Sequence, residues 1–156
     1  MTSEQKRQFG EFGCMSRSLI KLANRHVLTD EEFCNRFHRF FHDPEKRFGA
    51  LSTSALIEIA KEMGLCTLAF TFANPEKIKK VLSEKPGIGI LLITEKRRNK
   101  ERLLIDYPHC RLVLGYHEDG RWNIWDYIGH PGHEEMEISL SDSELNEEMP
   151  HFIVLL

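Results

Sequence analysis

The sequence predicts an α+β fold built as one domain over residues 1–156, with N-terminal helices packed on a C-terminal antiparallel sheet. Three observations carry this. Apolar residues of the first half recur three and four positions apart behind capping residues, the mark of amphipathic helices. Short apolar runs of the second half are bounded by turn signals, as strands are. No repeat, low-complexity tract or linker-like stretch interrupts the chain. Helices followed by antiparallel strands is the α+β order.

The elements follow in sequence. Met15, Leu19, Leu22 and Ala23 share one helical face directly after "QFGEFGC", so a helix begins at Cys14. "TDEE" at 29–32 is a capping box, with Thr29 as cap and Glu32 three residues on, and it opens a helix carrying Phe33, Phe37, Phe40 and Phe41. "LSTSALIEIAKEMG" is a third helix, capped near Ser52 or Thr53 and stopped by Gly64. "LCTLAFTF" reads as a strand. "NPEKIKKVLSE" reads as a helix with Asn74 as cap and Pro75 at its first position, ending at Pro86. "GIGILLIT" is a buried strand returning through "RLLIDYPH" after a basic tip. "HCRLVLGYHEDGRWNIWDYIG" is a hairpin with "EDG" at its turn. "EEMEISL" is a strand, "SDSEL" a helical turn, and "HFIVLL" a closing apolar strand.

Composition narrows the function. Hydrophobic residues make up 41% and charged residues 29%, an ordinary globular balance, and the formal net charge of −3 argues against a nucleic-acid binder. The basic run "EKRRNKER" at 95–102 reads as a solvated hairpin tip. The polar N-terminus lacks the apolar core of a signal peptide, and no apolar run approaches the ~20 residues of a membrane span, so the expected location is cytoplasmic. Cys14, Cys34, Cys66 and Cys110 form no CxxC pair, which fits a reducing compartment.

Four residues form a set that suits cysteine acyl transfer, which needs a thiolate, an imidazole base, a group orienting the imidazole and donors for the oxyanion. Cys14 stands at a helix start, where unpaired N–H groups and the positive dipole end stabilise a thiolate. His109 begins the first strand of the hairpin and Asp126 ends the second. A four-residue "HEDG" loop pairs Tyr116 with Arg121 and sets Asp126 opposite Arg111, making His109 and Asp126 same-face diagonal neighbours roughly 7–8 Å apart at Cα. A two-residue "DG" turn stretches their separation to ~13 Å. The chemistry therefore requires the looser loop or a bulge. Gln8 supplies an amide N–H for the oxyanion, with Gly10 and Gly13 letting the backbone turn between it and Cys14.

A glutamine six residues before a helix-start cysteine, then a histidine strand, then an aspartate strand, resembles the papain-like cysteine peptidase superfamily. The order of elements is most similar to the bacteriocin-processing, double-glycine peptidases and their stand-alone relatives. "STSALIEIAKEMGL", "IKKVLSEKPGIGILLI" and "HCRLVLGYHEDGRWNIWDYIG" carry the likeness, which spans residues 8–156 in layout. It implies Cys14 as nucleophile, His109 as general base and acid, Asp126 as orienting acid and Gln8 as oxyanion donor. It implies no cofactor, and a peptide or protein substrate rather than a nucleic acid or membrane. Tyr127 after Asp126, Met15 after Cys14 and Cys110 after His109 depart from the pattern.

Other readings stand beside this one. The same geometry serves peptidases, isopeptidases, glutamine deamidases and transglutaminases, and a catalytically inactive peptide-binding module keeps the same fold. Cys34, Cys66 and Cys110 read as buried, with Cys110 facing away from His109. His130 and His133 in "HPGHEE" invite a zinc reading but have no companion cysteine at ligand spacing. Trp122 shares the face of Asp126, and either walls a substrate groove or packs in the core; Trp125 points the other way.

Overall fold

The computed structural model describes residues 1–23, 28–65, 68–71, 75–84, 89–98, 101–128 and 134–155. Among these residues, six α-helices, one 3₁₀ turn and six strands occur in the order α1 (Ser3–Phe12), α2 (Cys14–Leu22), α3 (Asp30–Phe37), the 3₁₀ turn (His38–Phe40), α4 (Thr53–Glu62), β1 (Leu68–Thr71), α5 (Pro75–Glu84), β2 (Gly89–Arg98), β3 (Leu104–Tyr116), β4 (Arg121–Ile128), β5 (Glu134–Ser141), α6 (Asp142–Glu147) and β6 (Pro150–Leu155). This is the expected α+β class. The chain divides into two compact units: Met1–Cys66 with Tyr127–Glu135, and Thr67–Asp126 with Met136–Leu156.

In the first unit the caps form as the sequence indicates. Thr29 and Glu32 make a reciprocal capping box, and Ser52 accepts the Ala55 N–H at 3.2 Å. Phe33 and Phe37 pack as tilted rings 5.0 Å apart, while Phe41 and Phe48 meet edge-on at 4.9 Å. The phenylalanine stripe is not one helix, however, because α3 ends at Phe37 and passes into the 3₁₀ turn.

Residues 3–12 are the larger departure. They form a helix rather than a turn around Gly10, because Thr2 and Gln5 build a second capping box whose residue types lie in "MTSEQ". Gly13 closes α1 and opens α2: its N–H donates to Phe9 O at 2.9 Å, and its own carbonyl accepts the Arg17 N–H at 2.8 Å. A Cβ at Gly13 would lie 2.4 Å from Phe9 O, so only glycine allows two helices to abut immediately before Cys14.

The second unit carries most of the sheet, whose strand order is β1-β6-β2-β3-β4-β5. Ile90, Leu92, Val113, Trp122, Ile124 and Phe152 lie in one apolar core, each contributing about 1.5–3 kcal/mol on burial. Trp122 is fully buried there, with its indole N–H donating to Asp142 Oδ1 at 2.7 Å, so it packs in the core rather than walling a groove. The closing helix α6 has the capping box of Ser141 and Glu144. Pro75 opens α5 as expected; Asn74 and Pro86 lie outside the described residues.

Two expectations about the sheet change. β3 is one 13-residue strand, so "RLLIDYPH" and the first hairpin strand are continuous, and His109 lies inside the strand instead of beginning it. β2 runs on to Arg98, with Lys96, Arg97 and Arg98 paired to Asp106, Ile105 and Leu104. The first half of the basic run, residues 95–98, is therefore strand. The pairs Thr94–His109 and Lys96–Asp106 leave Glu95 alone opposite Tyr107 and Pro108, a bulge at a residue whose nitrogen has no hydrogen to give the ladder.

Candidate active site

The β3–β4 hairpin decides whether His109 and Asp126 meet. Its loop has three residues: the His117 N–H donates to Arg121 O at 2.8 Å and the Gly120 N–H to His117 O at 3.0 Å, with Gly120 at φ +85°. That left-handed position suits glycine and ends a short turn between twisted strands. Tyr116 then pairs with Trp122 and Gly115 with Asn123, one residue out of the register the chemistry requires. Leu114 corrects it. It is an extra residue on β3, after which Val113 pairs with Ile124 and Leu112 with Trp125, so the next step sets Asp126 opposite Arg111.

The outcome is a contact between His109 Nε2 and Asp126 Oδ1 at 2.5 Å, with both side chains buried. Burial works against the Asp126 charge. The His109 hydrogen bond and the charges of His109, Arg111 and Arg97 outweigh it and hold the carboxyl below its usual range. Arg97 Nε lies 3.9 Å from Asp126 Oδ2. The arginine cation also sits 5.5 Å from the Tyr107 ring centroid, and the Tyr107 and His109 rings are 5.8 Å apart.

One pair of residues further along β3, Arg111 and Glu148 form an ion pair, each 1% exposed. Glu148 also accepts two backbone N–H groups of β2, Lys96 N on its carbonyl at 3.2 Å and Arg98 N on its carboxylate at 3.4 Å. It therefore fastens the strand on the far side of the Glu95 bulge.

Cys14 is the first residue of α2 and half-buried. Within its unit, Ser16 Oγ donates to Gly49 O at 2.8 Å. Arg17 pairs with Asp30 and stacks 4.1 Å over the Tyr127 ring, so the first turn of α2 is held on several sides. Cys34 differs from Cys14: burial, with the carboxylates of Asp30 and Glu31 beside it, pushes its thiol up to about 12 against the opposing N-terminal charge. Cys34 and Cys110 are buried as expected; Cys66 lies outside the described residues.

Gln8 has a different place from the one its spacing suggests. It is buried in the middle of α1, and Nε2 donates to Glu4 Oε1 and to Glu45 O, each at 3.0 Å, while Oε1 accepts the Phe48 N–H at 2.9 Å. Both amide hydrogens are thus engaged inside the first unit. Gln8 ties the 45–48 segment to α1, and an oxyanion would have to displace one of these acceptors.

Arg97, Arg111 and Glu148 escaped the sequence reading. Arg111 carried a signal, since residues 109, 111 and 113 share a strand face and an arginine on a core face needs a buried anion. No group of three or more metal-ligating side chains occurs among the described residues, and His130 and His133 lie outside them. No described helix is long and apolar enough to cross a membrane. The chain matches no protein-family model and no curated protein sequence.

Proposed function

We propose that the protein is a cysteine-dependent amide hydrolase of the papain-like kind, acting on a peptide or isopeptide bond. The observation that supports it is the buried contact between His109 Nε2 and Asp126 Oδ1. A carboxylate on one ring nitrogen holds the other, Nδ1, in the state that exchanges a proton with a thiol. In this reading Cys14 Sγ, at the N-terminus of α2, gives its proton to His109 Nδ1 and attacks the substrate carbonyl carbon. Backbone N–H groups of the α2 first turn stabilise the oxyanion. His109 protonates the leaving amine as the C–N bond breaks, and water then hydrolyses the thioester with His109 as base. A thiolate works only while reduced, so a reducing compartment such as the cytoplasm suits it.

One observation favours a second reading. The engagement of both Gln8 amide hydrogens fits a peptide-binding module that keeps the fold without turnover. Alkylation by iodoacetamide at pH 6, followed by peptide mass analysis, separates the two. A nucleophile labels at Cys14 much faster than at Cys34, Cys66 or Cys110, and His109→Ala abolishes the preference. Slow and equal labelling of all four overturns the hydrolase.

A further inference from the structure

The basic run at 95–102 has no part in the reading above, yet one of its members reaches the His109–Asp126 pair. Arg97 is only 14% exposed in its side chain and approaches the carboxylate oxygen that His109 does not use: Oδ1 faces the imidazole, while Oδ2 faces Arg97 Nε at 3.9 Å. The same guanidinium lies over Tyr107, whose ring neighbours that of His109. Arg97, Asp126, His109 and Tyr107 therefore form a closed ring of contacts drawn from β2, β3 and β4.

We propose that Arg97 tunes the His109–Asp126 pair from the far side of the carboxylate, its charge beside Oδ2 weakening the hold of Oδ1 on the imidazolium. The inference rests on the hydrolase reading for its catalytic meaning, but the coupling itself does not depend on turnover. At 3.9 Å the contact is an ion pair rather than a direct hydrogen bond, so it acts through charge, with the guanidinium seated over Tyr107. The local architecture supports it. Regular alternation along "EKRR" does not single out any one cation, whereas β3 carries a bulge, with Tyr107 and Pro108 opposite Glu95, next to the strand segment that holds Arg97. Bulges gather beside active sites because they redirect a side chain. The neighbouring cations have other carboxylates: Lys96 pairs with Asp106, Arg98 with Glu147 and Arg102 with Glu144.

The charged groups around the pair are Arg97 from β2, Arg111 from β3 and Asp126 from β4. Tyr107 of β3 flanks the imidazole, and Glu148 after α6 neutralises Arg111. Removing Arg97 takes a positive charge from the far side of Asp126. The carboxylate then favours the imidazolium more strongly, and His109 holds its proton to higher pH.

The test is the imidazole titration of His109, followed by NMR at low ionic strength in the wild type, Arg97→Met and Arg97→Lys. Arg97→Met keeps the stem and removes the charge; it is expected to raise the His109 midpoint by roughly 0.5 unit or more. Arg97→Lys keeps the charge, retains the fold and returns the midpoint to the wild-type value. An unchanged or lowered midpoint in Arg97→Met overturns the proposal. The pH profile of Cys14 alkylation, measured on the same variants, separates this from the hydrolase reading. If the His109 midpoint rises and the alkylation profile does not move, Arg97 tunes the pair and the hydrolase reading fails. If both move together, both stand.

Discussion

Two buried side-chain pairs lie on one face of β3, two residues apart, and they differ in kind. Arg111–Glu148 joins a guanidinium to a carboxylate also bonded to the β2 backbone. His109–Asp126 joins a carboxylate to the one side chain whose ordinary titration falls near neutrality. Both are buried, both cross between elements, and only the second can move a proton. Burial with a partner is thus no argument for catalysis by itself; the proposed function rests on the pair that has a titratable member with a second ring nitrogen.

Glu148→Ala should break the structural pair most severely, because it leaves Arg111 buried without its anion. A loss of about 3–5 kcal/mol in urea unfolding is expected. If the comparison holds, Glu148→Gln loses less and still shows preferential Cys14 alkylation. Asp126→Asn removes the charge that holds His109 and should cost about 1.5–3 kcal/mol, while abolishing the Cys14 preference in iodoacetamide labelling. A variant that unfolds like Glu148→Ala yet labels normally would reverse the roles given to the two pairs.

Acid sharpens the contrast. The Asp126 carboxyl titrates lower in the folded chain than in the unfolded one, so its contribution is complete above the unfolded value of about 3.9. It is lost as pH falls through the lower folded value. Urea midpoints measured from pH 6 to pH 2 should therefore fall more steeply in the wild type than in Asp126→Asn. The smallest effect lies far from both pairs. Thr29→Ala removes the cap of α3 and should cost about 1 kcal/mol in thermal unfolding, with no change in the His109 titration.

Local chemistry made much of this legible in the sequence. Thr29, Ser52 and Gly64 mark helix ends through backbone bonding and conformation, and those ends stand where the residues indicate. The pairing of His109 with Asp126 was also readable, as a condition: strand parity demands either a longer loop or a bulge. The structure uses a three-residue loop and Leu114 together. What escaped depends on distant partners. Gln8 has the spacing of an oxyanion donor, but its hydrogen bonds go to Glu45 and Phe48, positions that no local pattern connects to it. Arg97 stands in a run that looks solvated until its pairing with β3, and the β3 bulge beside it, are known.

The Leu114 bulge has a consequence for how this hairpin can drift over generations. Its loop is one residue short of the register the histidine needs, and Leu114 makes up the difference. Were Leu114 drawn into the ladder instead, Asp126 would fall opposite Leu112 and leave the face of His109. A loop one residue longer with no bulge gives the same pairing, so variants of this hairpin are expected to keep Asp126 opposite Arg111 by one route or the other.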